Sequence, residues 1–150
     1  MKLMIDPLTD EHFMKKALNE AQFAIEKGEV PVGVVVVAHG QIIARGHNLT
    51  ETLTDVTAHA EMQAITAAAN YIGGKYLKDS TLYVTLEPCS MCAGAMYWSQ
   101  LGRLVFAASD YKRGYRSNNT PLHPKTKVTF GVCEDEASIV LQAFFKQKRT

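Results

Sequence analysis

Residues 81–92, Thr81-Leu82-Tyr83-Val84-Thr85-Leu86-Glu87-Pro88-Cys89-Ser90-Met91-Cys92, decide the fold because they join a strand to a helix. Apolar alternation over 81–86 predicts a strand, and Pro88 cannot continue its hydrogen-bond ladder. The next segment, 90–99, predicts a short helix. Cys89 and Cys92 lie three residues apart, on one helical face, so their sulfurs can bind one metal ion.

A second motif, His59-Ala60-Glu61, completes a ligand set of one imidazole and two thiolates and leaves one carboxylate free. A catalytic zinc uses three protein ligands, whereas a structural zinc needs a fourth, and the spare Cys133 lies far along the chain. Both motifs fall at predicted helix starts, where the helix dipole favours thiolates. The H-x-E and P-C-x-x-C pair is the signature of zinc deaminases.

The free carboxylate, Glu61, has two interpretations. Taken alone it would be a solvated helix residue, but beside His59 it is expected to act as a proton shuttle. We expect one Zn²⁺ per subunit, which would lower the pKa of a bound water to about 7. The remaining histidines (His12, His39, His47 and His123) and Cys133 are expected to be structural or exposed.

The length of 150 residues, the apolar fraction of 47% and the net charge of +1 are typical of one compact domain, 1–150. The sequence has no apolar run of membrane-spanning length, and residues 1–6 do not resemble a secretory signal. Three cysteines, two of them in one C-x-x-C, indicate metal chemistry in a reducing compartment, so a cytoplasmic location is expected.

The charge is uneven along the chain. Residues 103–127 contain six basic side chains against one acidic one, Asp110, and the C-terminal segment 144–150 forms a second basic cluster. Either cluster could contact RNA, or both could be ordinary solvated loops. The low net charge argues against indiscriminate coating of nucleic acid.

Periodicity predicts four helices and five strands in a mixed α/β sandwich, with parallel neighbours after an initial hairpin. The first helix runs through Phe13 and Ile25, with Thr9 or Asp10 as its cap and Gly28 as its stop. The other predicted helices are 58–71, 90–99 and 134–148, the strands are 30–38, 41–46, 81–86, 103–107 and 127–132, and 111–125 is a long loop.

Read from Phe13 to Lys148, the chain resembles the tRNA-specific adenosine deaminases of the cytidine-deaminase-like superfamily. The resemblance rests on the runs 28–33 (GEVPVG), 46–48 (GHN), 57–61 (TAHAE), 81–89 (TLYVTLEPC) and 91–96 (MCAGAM). It implies a three-layer α-β-α sandwich with a five-stranded mixed sheet. Two departures are Val56, where the family usually has proline, and the bulkier, more basic loop 110–116.

The resemblance also implies roles for particular residues. The zinc ligands would be His59, Cys89 and Cys92, with Glu61 as acid and base. Asn48 would bind the flipped nucleoside. Asp110 would face the ribose of the RNA, which would select RNA over DNA. On the last helix, Phe144, Phe145, Lys148 and Arg149 would meet the RNA. Without the resemblance, the two phenylalanines would be interpreted as core packing.

The expected function is deamination of adenosine to inosine at the first anticodon position of a tRNA, by a homodimer. Zinc-bound hydroxide would attack C6 of a base flipped out of the anticodon loop, with loss of ammonia. One alternative is a deaminase of a free base or nucleoside, such as guanine, cytosine or cytidine. Another is a non-catalytic, RNA-binding zinc subunit, which the presence of Glu61 disfavours.

Overall fold

The structure is a computed structural model that describes residues 9–149. Residues 1–8 and 150 lie outside the described part, and with them the segment 1–6 in which no secretory signal is predicted. Within residues 9–149, no helix combines the length and the apolar character that crossing a membrane requires.

Residues 9–149 form four helices and five strands in the predicted order. In sequence they are α1 (Asp10–Glu26), β1 (Gly33–Ala38), β2 (Gln41–His47), α2 (Ala60–Ile72), β3 (Ser80–Leu86), α3 (Ser90–Trp98), β4 (Arg103–Ala108), β5 (Lys127–Phe130) and α4 (Glu134–Lys148). Thr9 is the N-cap of α1, its side chain accepting a hydrogen bond from the backbone N–H of His12 at 3.2 Å.

Two predicted strand boundaries are wrong by more than one residue. Strand β1 begins at Gly33 rather than Val30, because Pro31 has no N–H and the N–H of Val32 donates to the carbonyl of Val30 at 2.8 Å. Strand β5 ends at Phe130, because Gly131 turns the chain with φ of 85°. Cys133 therefore lies outside any strand, as the N-cap of α4 with φ of 58°.

The strands form one mixed sheet in the order β2-β1-β3-β4-β5. Strand β1 is antiparallel to both β2 and β3, whereas β3, β4 and β5 are mutually parallel, as predicted for the strands after the hairpin. Strands β2, β3 and β4 therefore point the same way. Their C-terminal ends all lie at one edge of the sheet, where α2 and α3 begin.

Helices cover both faces of the sheet, which confirms the three-layer α-β-α sandwich. Alternate residues of β1 explain the layering, because Val34 and Val36 pack toward α2 and α3 while Val35 and Val37 pack toward α1 and α4. Burial on both faces is why the strand is a continuous valine run rather than an alternating one.

Helix α1 lies directly against β1 at Gly33. A Cβ on Gly33 would overlap the backbone oxygen of Ala17 and the backbone nitrogen of Ala21. The N–H of Gly33 also donates to the Thr85 hydroxyl at 3.1 Å. Glycine at this position therefore sets the distance between the α1 layer and the sheet.

We expect Gly33→Ala to lower the free energy of unfolding by about 3 kcal/mol or more, because a backbone-to-backbone overlap cannot be relieved by a rotamer change. Thermal and urea unfolding measure the effect. Gly94→Ala in α3 is the matched control: a Cβ there meets no atom within 4 Å, and alanine favours the helix. Equal stability of the two variants would contradict the close approach.

Candidate metal centre and active-site cavity

The structure brings His59, Cys89 and Cys92 together at the sheet edge where α2 and α3 begin. His59 is the N-cap of α2 and Cys89 is the N-cap of α3. The Nδ1 atom of His59 lies 3.6 Å from the Sγ atoms of both cysteines. Within residues 9–149 these three are the group whose ligand atoms all lie within 4.8 Å of one another.

These separations fit a zinc ion. Bond lengths of about 2.3 Å to sulfur and about 2.0 Å to nitrogen, at the tetrahedral angle, place the two ligand atoms about 3.5 Å apart. The two Nδ1–Sγ distances in the structure agree with that value. Three soft or borderline ligands also favour zinc over magnesium or calcium.

The two thiols differ electrostatically. A hydrogen bond from Cys92, together with His59, lowers the pKa of Cys89 to about 4. The same hydrogen bond and burial raise the pKa of Cys92. A bound metal cation would displace the proton of either thiol, because ligation requires the thiolate.

Glu61 lies beside the ligands, in the first turn of α2. Only 4% of it is exposed, and this burial, together with the negative charge on Cys89, raises its pKa to about 7. His59 has an extended backbone, with φ of −69° and ψ of 156°. Because the chain is still entering the helix at His59, both side chains reach one site although they lie two residues apart.

A cavity of about 800 Å³ opens beside this group. Its lining includes six of the ten candidate residues: Asn48, His59, Glu61, Cys89, Asp110 and Phe145. Cys92 is fully buried in α3. Phe144, Lys148 and Arg149 do not line the cavity and lie on or after the last turns of α4.

Asn48 offers an unsatisfied acceptor to the cavity. The residue is 8% exposed, and its Oδ1 atom has no hydrogen-bond partner within the described residues. Its backbone N–H donates to the carbonyl of Val32 at 3.2 Å, and this hydrogen bond fixes the backbone position from which the side chain extends. A buried amide oxygen left unpaired is unfavourable, so a ligand with a donor group is its natural partner.

The loop that follows Asn48 is held by Glu29, a residue for which the sequence predicted no role. The buried Glu29 carboxylate accepts hydrogen bonds from the Thr52 N–H at 2.6 Å, the Thr52 hydroxyl at 2.7 Å and the Glu51 N–H at 3.2 Å. Despite its burial, these bonds keep the pKa of Glu29 below its ordinary value. The sequence signal that could have indicated a role for Glu29 was its place in the GEVPVG run, which the chain shares with the family it resembles.

Asp110 shapes the other wall. Its Oδ1 accepts hydrogen bonds from the N–H groups of Lys112 at 3.2 Å and Arg113 at 2.9 Å. Its own N–H donates to Glu87 Oε1 at 3.0 Å. The carboxylate therefore caps a turn in the lining of the cavity, and the ribose contact that the resemblance implies stays a prediction.

Glu87 and Arg116 form an ion pair that sequence reasoning missed. Glu87 is 3% exposed, and its Oε1 lies 2.9 Å from Arg116 Nη2. Burial would raise the pKa of Glu87, but these bonds hold it below its usual range. The guanidinium also lies over the rings of Phe106 and Phe130, with its Cζ 4.9 and 4.6 Å from their centroids.

Two of the six basic residues in 103–127 are therefore not a solvated surface. Arg116 pairs with Glu87, and Arg103 donates to both carboxylate oxygens of Asp10, at 2.8 and 2.6 Å. The basic surface of this segment is smaller than the sequence count indicates.

The end of α4 approaches the cavity through Phe145. Its ring is 43% exposed and lines the cavity, and the half-buried Phe144 packs edge-on against it at a centroid distance of 5.4 Å. Lys148 Nζ lies 5.5 Å from the Phe144 centroid. Neither ring is fully buried, so the alternative of simple core packing does not describe the pair.

The chain matches the MafB19-like deaminase family model over residues 8–149. It is 47% identical to a tRNA-specific adenosine deaminase of Bacillus subtilis (strain 168), covering 93% of this chain and 91% of that protein. A solved structure from studies of A-to-I editing by tRNA:A34 deaminases at the wobble position has a TM-score of 0.81 and 43% identity, covering 87% of this chain and 99% of that one.

A guanine deaminase of Bacillus subtilis, also of known structure, has a TM-score of 0.66 and 33% identity over 92% of this chain and 94% of its own. Identity over nearly the whole length is thus higher to the tRNA enzymes than to this guanine enzyme. The chain belongs to the MafB19-like deaminase family and, within it, to the tRNA-specific adenosine deaminases.

Proposed function

We propose that this protein deaminates adenosine to inosine at the wobble position of a tRNA. One observation carries the proposal: a cavity of nucleoside size contains both the unpaired Asn48 amide oxygen and the buried Glu61, next to His59 and Cys89. A volume of about 800 Å³ lies within the range of small-molecule sites. The family membership supplies the reaction class.

In the proposed reaction, the oxygen of water bonds to C6 of adenine and the C6–N6 bond breaks, releasing ammonia and leaving inosine. Zinc held by His59, Cys89 and Cys92 would supply a water of lowered pKa at neutral pH. A Glu61 carboxylate oxygen would accept the proton of the attacking water and deliver it to a ring nitrogen. It would then take the remaining proton of the C6 hydroxyl and deliver it to the departing amine, so that ammonia leaves and inosine has a C6 carbonyl.

The cavity walls would bind and orient the nucleoside. Asn48 Oδ1 can accept a hydrogen bond, and its amide N–H₂ can donate one, which suits a purine edge. Asp110 also lines the cavity, where a carboxylate can accept from a ribose 2′-OH. The apolar lining, including Val30, Val32 and Leu86, would exclude water from the buried base.

The RNA would leave the cavity between the 110–113 turn and the end of α4. Phe145 lines this mouth, and Lys148 and Arg149 follow it on the exposed side of the helix. Aromatic and basic side chains in this arrangement are typical of proteins that bind single-stranded RNA.

We further propose one domain over residues 1–150, one zinc per subunit, a homodimer and a cytoplasmic location. The family resemblance supports the homodimer, as does the exposed ring of Trp98 at the end of α3. The C-x-x-C thiols support a reducing compartment.

A deaminase of a free base is the second candidate, because the guanine deaminase of Bacillus subtilis is 33% identical. The identities of 47% and 43% to tRNA deaminases favour the RNA substrate. Phe145 at the mouth and the basic residues after it add to this preference, since a free base would need neither.

The first test is a product assay on zinc-loaded protein. An anticodon stem-loop with adenosine at the first anticodon position is expected to yield inosine, whereas free adenosine, guanine, cytosine and cytidine remain unchanged. Mass spectrometry of the nucleosides measures both. Turnover of a free base with the RNA left intact would overturn the substrate while retaining the deaminase chemistry.

Glu61→Gln is expected to lower kcat by about 10³-fold or more, because an amide cannot shuttle the proton. Zinc content, measured by atomic emission, should remain at one ion per chain since the three ligands are untouched. The matched control is Glu26→Gln, which changes an exposed carboxylate on α1 and should leave kcat unchanged. Retention of wild-type turnover by Glu61→Gln would remove Glu61 from its proposed role.

Replacing Lys148 and Arg149 by alanine is expected to raise KM for the stem-loop and to leave kcat unchanged. The slope of log KM against log salt should fall by about one to two units, since each lost phosphate contact removes roughly one. Lys75→Ala/Lys78→Ala, two exposed lysines near the start of β3, form the control pair. An unchanged salt slope would place the RNA elsewhere.

A further inference from the structure

Tyr111 stands out at the mouth of the cavity. Its side chain is 84% exposed, yet it contributes to the lining. Single exposed aromatics are common on protein surfaces, so exposure by itself indicates nothing. The position matters, because Tyr111 directly follows Asp110, at the point where a nucleotide chain would leave the pocket.

The segment that bears Tyr111 is held in place from both ends. Before it, the Asp110 N–H donates to Glu87. After it, the Gly114 N–H donates to the Asp110 carbonyl at 2.9 Å, and Gly114 pairs with Cys89 in an isolated bridge. A Cβ on Gly114 would overlap the Glu87 carboxylate, which shows how tightly the loop packs on that residue.

Arg116 completes the attachment. Its guanidinium donates to Glu87 Oε1 at 2.9 Å and to the Ser109 hydroxyl at 2.8 Å, so it ties the two ends of the loop to one buried carboxylate. The loop is therefore a preformed turn, and Tyr111 is presented to solvent by a fixed backbone. An exposed aromatic on a fixed turn can bind a base with little loss of conformational entropy.

The neighbours of Tyr111 are cationic. Lys112 and Arg113 are exposed and also line the cavity, and within residues 9–149 neither forms an ion pair with a carboxylate. Such a surface is complementary to single-stranded RNA. The exposed ring can stack on a base, and the cations beside it can bind the adjacent phosphates because no carboxylate neutralises them.

From this arrangement, which rests on the function proposed above, we propose that Tyr111 stacks on the nucleobase adjacent to the adenosine that is deaminated. Lys112 and Arg113 contact the phosphates beside that base. The adenosine occupies the cavity at Asn48 and Glu61, and the next base of the strand lies on the Tyr111 ring outside the mouth. Tyr111 thereby helps to determine which flanking nucleotides are preferred.

Tyr111→Ala is expected to raise KM for the anticodon stem-loop by about 5-fold to 100-fold, the range for loss of one base–aromatic stack, with kcat within about twofold of wild type. Tyr111→Phe and Tyr111→Trp retain a ring and should retain the wild-type KM. Tyr71→Ala removes another exposed tyrosine, one that lines a separate cavity at the far ends of β1 and β3, and should change neither constant.

Two further RNA substrates test whether Tyr111 stacks on a neighbouring base. One lacks the base on the 5′ side of the target adenosine, and the other lacks the base on its 3′ side. With one of the two, wild type and Tyr111→Ala should show equal KM, because the ring has lost its partner. A KM increase that persists on both abasic RNAs would overturn the proposal, since Tyr111 would then act on the flipped nucleoside or on the loop.

The outcomes also separate this inference from the proposed function. If wild type produces no inosine in the stem-loop, the proposed function fails. If wild type produces inosine and Tyr111→Ala has the wild-type KM, the stacking proposal alone fails. The melting temperature of Tyr111→Ala, which should match wild type because the side chain is exposed, excludes a folding defect as the cause.

Discussion

The structure depends on one topological constraint: β2, β3 and β4 end at the same edge of the sheet. Strand β2 is separated from β3 by β1 yet runs in the same direction, because both are antiparallel to β1. The chain therefore enters α2 and α3 at neighbouring points. His59 and Cys89, the two N-caps, meet there although 30 residues separate them.

Buried carboxylates hold the walls around this meeting point. Glu29 binds the loop after Asn48, and Glu87 binds the loop that contains Asp110. Each is almost fully buried, and each is satisfied by backbone N–H groups and side-chain donors. Losing the partners of a buried carboxylate is strongly destabilising, so both loops are fixed to the sandwich. The cavity is shaped by these attachments as much as by the residues that face it.

Much of the fold could be predicted from the sequence, and the reasons are local. The Thr9 cap, the αL glycine Gly28 after α1 and the heavily apolar β1 are signals contained within a few residues. The errors were also local in origin: the N–H of Val32 bonds within a tight turn, and Gly131 takes a positive φ. Neither backbone conformation changes the hydrophobic pattern of the sequence, so the predicted strands β1 and β5 were too long.

The sequence by itself determined the ligand types, their spacing and the order of helices and strands, because these follow from side-chain chemistry and from periodicities of two and 3.6 residues. Only the tertiary structure decided which charges face inward. Arg116, one of six basic residues in 103–127, binds Glu87, 29 residues away, and lies over Phe106 and Phe130. That contact depends on how β4 and β5 pack side by side, which no local pattern encodes.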